Sequence, residues 1–436
     1  MDDIKAKRLY NCARNKINFI SGTVTPAQSN KTKTTPFEVG DIECIDIGLE
    51  FLFNMYEKNL TVSVQPKYMG SRFNVYLMRD DHLKRSYAVT RNGFLCTKLS
   101  RETLAPIYDK LHKNLIGFMR ENNVKMMIID GEILPWSALG DDLIENEFLP
   151  VDKGLETEIA YSEQYGFDEQ LQKFRDSNSD IVNALKTSSR KDVTKTFGEA
   201  KVKEFDKIKE VLTVPSIETS KKLYKTFNEQ MKLYGEYSSE KKVEKKTNLD
   251  YKPFGILKIC FDDGSESIPL FDESYSQSEM YDIVRGRQIG GDGSAVIDDS
   301  EDAQLVVELT PETFESGVKK IRDYFNNLTY VQGYEGVVIK PDYVKKGALP
   351  MMKCRNTSYL SIIYGFDYSL EPKLTRLIKS KTTSSKIKQS IKEFNHGIEM
   401  LKIPYDEIGT DNEDYQKIMR AFLFEEEYGQ KLDPRL

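Results

Sequence analysis

Two stretches of alternating apolar and polar residues mark the start of a strand-rich region. Residues 62–78 read V-S-V-Q-P-K-Y-M-G-S-R-F-N-V-Y-L-M, and this period of two predicts two β-strands separated by a break. The break contains Lys67, Gly70 and Arg72. A solvated lysine in a surface hairpin is one interpretation of this turn, and a reactive amine in a phosphate-binding turn is the other.

Further elements follow from the apolar pattern. Apolar residues at helical spacing predict a helix near residues 103–122, and a continuous apolar run predicts a buried strand at 124–129. A second helix is predicted at 311–327. Strand patterns also occur at 254–261, 304–310 and 335–339.

Residues from about 155 to 250 differ in character from their surroundings. Lys and Glu dominate this segment, runs of β-branched residues are absent, and helical periodicity is present. We interpret it as a solvated helical insert. After Tyr368 the pattern is helical to the end of the chain. Its apolar face contains Ile387, Ile391, Phe394, Ile398 and Leu401.

These changes of pattern divide the chain into five parts. A core in two halves, at 56–154 and 251–366, is interrupted by the helical insert at 155–250. An N-terminal module at 1–55 precedes it, and a helical C-terminal module at 367–436 follows it. The length of 436 residues agrees with two or three domains, because single cores rarely grow beyond about 300 residues.

Composition and charge argue against several classes of protein. Hydrophobic residues make up 39% and charged residues 30% of the chain, which is typical of a soluble globular protein. No apolar run reaches the roughly 20 residues that span a bilayer, and the N-terminus lacks the apolar segment of a secretory signal. We therefore expect a cytoplasmic protein without membrane contact. The net charge of −6 counts mildly against a polyanionic partner, although a local basic patch can outweigh the total.

Cysteine and histidine are too few and too dispersed for common metal or thiol chemistry. The five cysteines show no C-x-x-C spacing, which favours reduced structural thiols. His82, His112 and His396 lie far apart, against a typical zinc site, although one histidine could still act as a base. Polar composition predicts a loop at 25–36. The glycine-rich residues 289–294 lack the G-K-[ST] of a phosphate loop and predict a flexible turn.

Four short segments together carry the candidate chemistry. They are K-Y-M-G-S-R at 67–72, I-I-D-G-E-I at 128–133, E-G-V-V-I-K at 335–340 and M-M-K-C-R at 351–355. Each segment alone is a weak signal, since K-x-x-G occurs by chance and D-G-E is common in turns. Their order along the chain, with each at a predicted strand end, makes the set specific.

Nucleotidyl transfer is the chemistry that needs this set. The amine of Lys67 would attack the α-phosphate of a nucleoside triphosphate, and pyrophosphate would leave. Because the pKa of a free lysine is about 10.4, nearby cations and a bound metal are expected to lower the pKa of Lys67. Lys340 and Lys353 are the candidate cations. Glu335 and Glu132 are the candidate ligands of Mg²⁺ or Mn²⁺.

The motifs resemble those of the covalent nucleotidyltransferase superfamily, which contains ATP-dependent DNA and RNA ligases and mRNA capping enzymes. The likeness is strongest to the ligase domain of the bacterial RNA repair enzyme polynucleotide kinase-phosphatase-ligase. That domain shares the K-x-M-G-S-R motif, the G-E-I-L-P-W-S run at 131–137, the K-C-R and Y-L-S-I-I-Y-G runs within 353–365, and the D-P-R-L end. The resemblance implies an α+β fold. Its nucleotidyltransferase core of antiparallel sheets would bind ATP and carry the helical insert and C-terminal module.

The resemblance also implies roles for single residues. Lys67 would be the nucleophile that becomes adenylylated. Arg72 and Glu132 would contact the nucleotide sugar and the reacting ends. Arg91, in T-R-N-G, would touch the nucleotide or the RNA.

The remaining roles concern the base, the metal and the α-phosphate. Phe254, in K-P-F-G-I-L, would stack on adenine, although a position in the core is an equal alternative for this ring. Gln65, two residues before the lysine, would contact the edge of adenine. Glu335, with Glu132, would serve the metal. Lys340 and Lys353 would hold the α-phosphate.

The chain also departs from its relatives. Met351 stands where the superfamily usually has the first lysine of a K-x-K motif. No pattern of a P-loop kinase or a metallophosphoesterase is present, which predicts a free-standing ligase subunit. The resemblance then implies an RNA substrate such as a broken tRNA, and two partners. These are a polynucleotide kinase-phosphatase subunit and an RNA 3′-end 2′-O-methyltransferase.

Three other functions stay open at this point. A DNA ligase or a GTP-dependent capping nucleotidyltransferase would share Lys67, but both usually carry an OB-fold. The predicted helical C-terminal module lacks the run of strands that an OB barrel needs. A non-catalytic scaffold subunit of an RNA repair complex is the third alternative. The most favoured function is an ATP-dependent RNA ligase.

Overall fold

A computed structural model of the protein describes residues 3–27, 42–135, 138, 148–235, 249–287, 303–379 and 382–432. Outside these ranges lie most of the loop predicted at 25–36, Trp136, the turn predicted at 289–294 and the D-P-R-L end. Within them, no helix is both long enough and apolar enough to cross a membrane.

The strands of the described residues form two five-stranded sheets. Sheet A, in the order β1-β10-β9-β2-β8, consists of β1 (Thr25–Pro26), β2 (Leu60–Lys67), β8 (Leu305–Leu309), β9 (Gly336–Pro341) and β10 (Met352–Arg355). Sheet B, in the order β4-β3-β5-β6-β7, consists of β3 (Ser71–Met78), β4 (Tyr87–Thr90), β5 (Val124–Leu134), β6 (Asp250–Phe261) and β7 (Glu266–Ser267). Except for the parallel pair β1–β10, these strands pair antiparallel. The prediction of an α+β fold with antiparallel sheets is confirmed.

Short helices and two long ones surround the sheets. They are α2 (Ile45–Met55), α3 (His82–Arg85), α4 (Arg101–Glu121), α11 (Pro269–Asp272), α12 (Gln277–Val284), α13 (Phe314–Asn326) and α14 (Thr357–Tyr364). The helix predicted near 103–122 corresponds to α4. It begins after Ser100, whose hydroxyl accepts a hydrogen bond from the backbone N–H of Thr103. A serine at this position stabilises a helix by satisfying one of its unpaired donors.

Sheet A buries one face and leaves the other to the site. Val62 and Val64 of β2 pack with Val337 and Ile339 of β9 against the helices α2 and α13. Because successive side chains of a strand point to opposite faces, Lys67 and its alternate neighbours lie on the other face. The alternation at 62–78 therefore separates core residues from candidate site residues.

One face of sheet B packs against helices, and the other contacts the terminal segments at one end and carries candidate site residues further along. One face packs against α4 and α12 through residues such as Val75 and Ile129. At one end of the opposite face, Tyr76 and Ile128 contact the terminal segments of the chain. Further along this face the same strands carry Arg72, Asp130 and Glu132, with Arg72 directly opposite Glu132.

The described part of the insert is mostly helical, and only its last residue, Asp250, belongs to a strand, β6. Its helices are α5 (Leu149–Gln164), α6 (Phe167–Ser177), α7 (Ser179–Thr187), α8 (Arg190–Phe197), α9 (Glu199–Ile208) and α10 (Ile217–Gly235). The first helix begins six residues before the predicted boundary. A small core of its own contains Ile181, Val193, Val202 and Phe205. The last helix, α10, packs through Phe227 and Met231 against α14 and against Met69, two residues after the candidate nucleophile.

Helices of the two terminal segments contact each other and the two sheets. The helices are α1 (Asp3–Arg14), α15 (Lys373–Lys379), α16 (Thr382–Leu401) and α17 (Glu413–Leu432). Residues 1–55 were predicted as one module, but α1 packs with α17 on sheet B and α2 packs on sheet A. Lys258 of β6, fully buried, donates to the carbonyls of Leu401 at 2.6 Å and Ile403 at 2.8 Å. The five-part division itself stays a prediction.

Candidate active site

A cleft of about 600 Å³ lies where the ends of β2, β3, β5 and β10 approach one another. The predicted site residues that line it are Lys67, Arg72, Arg91, Glu132 and Lys353. Sheet A supplies the two lysines, sheet B supplies Arg72 and Glu132, and the turn after β4 supplies Arg91. The two sheets therefore bring together residues that lie far apart in the sequence.

Lys67 is held by a carboxylate within this cleft. Its Nζ lies 2.9 Å from Oε1 of Glu335 and donates a hydrogen bond of 3.0 Å to Oε2. Burial lowers the pKa of Lys67, but the charges of Glu335 and Glu132 outweigh this effect and raise the pKa above its ordinary value. Nearby cations alone do not lower the pKa of Lys67, because carboxylates dominate the surroundings of this amine, and the expected lowering with a bound metal stays a prediction.

Glu132 is the second carboxylate near this amine. Its Oε1 accepts a hydrogen bond of 2.9 Å from the backbone N–H of Gly70. Burial, reinforced by the charge of Glu335, raises the pKa of Glu132 to about 7, although Lys67 and the Gly70 hydrogen bond act in the opposite direction. A Cβ at Gly70 would lie 2.4 Å from the carbonyl oxygen of Ile133. Close approach of β3 and β5 therefore requires this glycine, whatever its relation to a phosphate.

The donor set around Lys67 fits a divalent cation that also binds phosphate. Glu335 is buried, and its Oε1 accepts no hydrogen bond from the described residues despite the nearby ammonium. No cluster of three or more acidic, cysteine or histidine side chains suited to a metal occurs in the described part of the chain. Mg²⁺ commonly uses one or two protein carboxylates and completes its shell with water and substrate phosphates. Glu335 and Glu132 satisfy that requirement.

Arg72 is positioned by an acid that the sequence analysis missed. Its Nε donates a hydrogen bond of 2.9 Å to Oδ1 of Asp130, and its Nη2 donates to Oδ2. Asp130 is 5% exposed and lies two residues before Glu132 on the same face of β5. That spacing of two in I-I-D-G-E-I is the signal that could have identified it.

Lys340 and Phe254 lie beside the cleft rather than in its lining. Nζ of Lys340 donates a hydrogen bond of 3.2 Å to the carbonyl of Phe254 and lies 4.4 Å from the centre of its ring. The guanidinium of Arg72 lies 5.6 Å from the same ring. Lys340 of β9 pairs with Ser63 of β2. Ser63 lies four residues before Lys67, so the Cα atoms of Ser63 and Lys67 are about 13 Å apart. Contacts of Phe254 and Lys340 with a nucleotide stay predictions.

Lys353 lies close to Lys67, in agreement with its predicted place. It is buried, and burial together with the charges of Arg355 and Lys67 holds the pKa of Lys353 well below its ordinary value. Next to it, Arg355 forms a buried ion pair with Glu43. No local pattern in the sequence pointed to Glu43, because its partner lies more than 300 residues away.

We expect Gly336→Ala to disturb the pairing of β9 with β10. A Cβ at this position would lie 2.1 Å from the carbonyl oxygen of Cys354 and 2.8 Å from Cα of Arg355. Both are backbone atoms, so the strands must separate, and the loss should be about 3 kcal/mol of unfolding free energy. Chemical denaturation would measure it. In the matched strand variant Gly255→Ala, where a Cβ meets nothing within 4 Å, stability should stay close to wild type. Equal losses in the two variants would contradict this account.

The lowered pKa of Lys340 predicts that nucleotide binding depends on pH. Burial lowers the pKa of Lys340 to about 7, with Asp130 opposing this and the charges of Arg72 and Arg285 reinforcing it. A phosphate bound to Lys340 would favour its charged form. Below pH 7 the amine already carries its proton, whereas above pH 7 binding must take one up.

We therefore expect the Kd for ATP to rise up to about tenfold per pH unit between pH 7.5 and 9. Calorimetry across this range measures it. Lys340→Arg should flatten the profile, because a guanidinium keeps its charge at these pH values. Superimposable profiles for the two proteins would show that Lys340 does not contact the phosphates.

Comparisons with known proteins agree with this geometry. A family model described as PNKP adenylyltransferase domain, ligase domain, matches residues 49–407. A chain of the solved Pnkp1/Rnl/Hen1 complex is 26% identical, with a TM-score of 0.75 and 100% of both chains covered. A chain of the solved Pnkp1/Rnl/Hen1 RNA repair complex is also 26% identical, with a TM-score of 0.77 and the same coverage.

A comparison with curated proteins gave no significant match. The family model nevertheless covers sheet B, sheet A except β1, the described helices of the insert and all of α16. The resemblance drawn from the four motifs is thereby confirmed, and the chain belongs to the PNKP adenylyltransferase, ligase domain, family.

Proposed function

We propose that this chain is an ATP-dependent RNA ligase that joins a 3′-hydroxyl end to a 5′-phosphate end. The observation that carries the proposal is the place of Lys67. Its amine lies in a cleft of about 600 Å³, paired with Glu335 and accompanied by Glu132, Arg72 and Lys353. A half-buried lysine among two carboxylates and two cations is an arrangement that suits attack on a phosphate.

The reaction has three steps. Nζ of Lys67 gives up a proton when it is adenylylated and takes one back when it leaves, and the 3′-hydroxyl releases its proton to solvent. First, Nζ of Lys67 attacks the α-phosphate of ATP, a P–N bond forms, and pyrophosphate leaves. Second, an oxygen of the RNA 5′-phosphate attacks the same phosphorus, and the lysine departs as the amine. Third, the RNA 3′-hydroxyl attacks the 5′-phosphate, a phosphodiester forms, and AMP leaves. Positioning and charge stabilisation supply most of the catalysis in such transfers.

Lys67 must lose its proton before the first step. A divalent cation held by Glu335 and Glu132 would supply positive charge that neutralises these carboxylates and the phosphoryl oxygens. Burial is the largest single influence on the pKa of Lys67, and it favours the neutral amine. Once the two carboxylates are neutralised, the effect of burial on the pKa of Lys67 outweighs the weaker influence of Tyr359.

The RNA substrate and the partners belong to the same proposal. Similarity over the full chain to a chain of the Pnkp1/Rnl/Hen1 RNA repair complex supports assembly with a kinase-phosphatase and a 2′-O-methyltransferase. A broken tRNA is the substrate that we propose. After Arg355 the described residues contain helices and no strand, so they offer no part of the OB-fold typical of DNA ligases and capping enzymes.

Mass spectrometry of the purified chain after incubation with ATP and Mg²⁺ tests the first step. We expect an added AMP on the peptide that contains residue 67, and sealing of a nicked stem-loop RNA in the same mixture or after addition of the two partners. An adduct formed from GTP alone would favour a capping enzyme. No adduct under any condition would favour a scaffold subunit. Co-expressed subunits that fail to comigrate in size-exclusion chromatography would contradict the proposed assembly.

A further inference from the structure

A chain of three hydrogen bonds runs from a backbone carbonyl to the side chain of Gln65. Nε2 of Gln304 donates to the carbonyl oxygen of Ser278 at 2.9 Å. Oγ of Ser63 donates to Oε1 of Gln304 at 2.6 Å. Nε2 of Gln65 donates to Oγ of Ser63 at 2.9 Å. We call these residues the amide relay.

The chemistry of the relay permits one direction only. A carbonyl oxygen accepts and never donates, so Gln304 must turn its NH₂ toward Ser278 and its Oε1 toward Ser63. The single hydroxyl proton of Ser63 is then used on Gln304. The oxygen of Ser63 can only accept from Gln65, which must turn its NH₂ toward the serine. Oε1 of Gln65 is therefore the atom that faces away from the relay.

The far end of the relay is fixed to sheet A. Backbone N–H and hydroxyl of Ser278 donate to the two carboxylate oxygens of Asp342 at 2.9 and 3.0 Å. Asp342 directly follows β9, and its own N–H donates to the carbonyl of Thr61 in β2 at 2.9 Å. Because Asp342 is 9% exposed, these bonds are shielded from competing water. The carbonyl that starts the relay therefore has a defined position.

The near end of the relay lies beside Lys67 and beside Lys340, which contacts the ring of Phe254. Gln65 precedes Lys67 by two residues on the same face of β2, a Cα separation of about 7 Å. Ser63 pairs with Lys340 of β9, whose Nζ lies 4.4 Å from the ring of Phe254. Within the described residues, Oε1 of Gln65 accepts no hydrogen bond. Gln65 is 2% exposed, so this acceptor serves only a ligand group that reaches the end of β2.

We propose that Ser63 and Gln304 are positioning residues that set nucleobase specificity by fixing the orientation of the Gln65 amide. The inference rests on the proposed function, since it needs a nucleotide whose base reaches Gln65. An amide that presents only oxygen pairs with the exocyclic amine of adenine. It meets the keto oxygen of guanine as a second acceptor, which leaves two buried polar atoms unsatisfied. The relay therefore selects ATP over GTP.

Two substitutions at Gln304 separate this role from a structural one. Gln304→Leu removes the acceptor for the Ser63 proton, which can then go to Oε1 of Gln65 and allow the amide to turn. Gln304→Glu keeps an acceptor for the Ser63 proton and should keep the direction from Ser63 to Gln65, while it loses the hydrogen bond to the Ser278 carbonyl. Gln304 is only half-buried, so both variants should fold.

Isothermal titration calorimetry with the α,β-methylene analogues of ATP and GTP measures the effect without covalent transfer. We expect wild type and Gln304→Glu to prefer the ATP analogue. In Gln304→Leu the Kd for the GTP analogue divided by that for the ATP analogue should fall about tenfold or more. The reason is that a turned Gln65 amide donates to the keto oxygen of guanine and leaves it no longer unsatisfied. A rise in affinity for the GTP analogue is a change that simple loss of structure would not produce.

The outcomes distinguish this inference from the proposed function. An unchanged Kd ratio in Gln304→Leu, or equal binding of the two analogues by wild type, would overturn the relay. Neither result concerns the lysyl adduct, which is measured separately by mass spectrometry. Conversely, absence of the adduct together with a relay-dependent preference for the ATP analogue would overturn the ligase and support the relay.

Discussion

Lys67→Arg is expected to abolish formation of the AMP adduct, with a loss of at least about a thousandfold. A guanidinium stays protonated at any pH at which the protein is folded, so it has no lone pair to attack the α-phosphate. The positive charge that pairs with Glu335 is kept, because arginine also donates to carboxylates. The fold should therefore persist while the nucleophile is lost. Intact-mass measurement after incubation with ATP and Mg²⁺ gives the result.

The matched control is Lys110→Arg. Lys110 forms an ion pair with Asp250 at 3.2 Å, and its side chain is 63% exposed. The same chemical change at this position should leave adduct formation at the wild-type level. An adduct that persists in Lys67→Arg, or that maps to a peptide without residue 67, would show that the nucleophile lies elsewhere. The ligase proposal would then lose its first step.

The predicted elements and the predicted cleft residues follow from different kinds of signal. Alternation at 62–78 was sufficient to predict β2 and β3, since a period of two is a local property. The approach of Glu335 to Lys67 depends on pairing across 268 residues, with Lys67 opposite Gly336. Periodicity carries no information about such a pairing. The motif order and the resemblance supplied it instead.

Residues that position the predicted ones were harder to find. Asp130 holds Arg72, and its spacing of two from Glu132 was the one local signal for it, whereas Gln304 of the amide relay stands in no distinctive pattern. Their roles arise from contacts between strands that lie far apart in the sequence. The expectation that cations would dominate the surroundings of Lys67 in the protein without ligand was wrong for a related reason. Composition shows which charges a chain has, whereas the pKa depends on which of them lie near the amine.

The insert shows the same limit at a larger scale. Its composition predicted helices with a solvated surface, and the described helices between Leu149 and Gly235 agree with that. No pattern in the sequence indicated that α10 packs against Met69. Sequence alone does not predict a hydrophobic contact between the insert and the turn after Lys67, because each apolar stripe can pack against many partners. Packing across modules is thus known only from the structure.

Glu43→Ala is expected to lower the free energy of unfolding by about 3–5 kcal/mol. The side chains of Arg355 and Glu43 are 1% and 0% exposed. Glu43 accepts hydrogen bonds from the backbone N–H of Arg355 at 2.8 Å, from its Nε at 2.9 Å, and from its Nη2. Removing the carboxylate leaves a guanidinium without a counter-charge in a dry site, and arginine does not lose its proton to escape that cost. Urea denaturation measures the change.

A double variant shows whether the pair or the unpaired charge is responsible. Glu43→Leu combined with Arg355→Met replaces both ions by apolar side chains of similar size, and it should recover most of the stability lost in Glu43→Ala. Glu57→Ala serves as the control, because Glu57 pairs with Lys345 at the surface and its loss should change stability little. If Glu43→Ala resembles Glu57→Ala, the buried pair contributes no more than a solvated one. If the double variant is as unstable as Glu43→Ala, the cost lies in the lost hydrogen bonds to β10 rather than in an isolated charge.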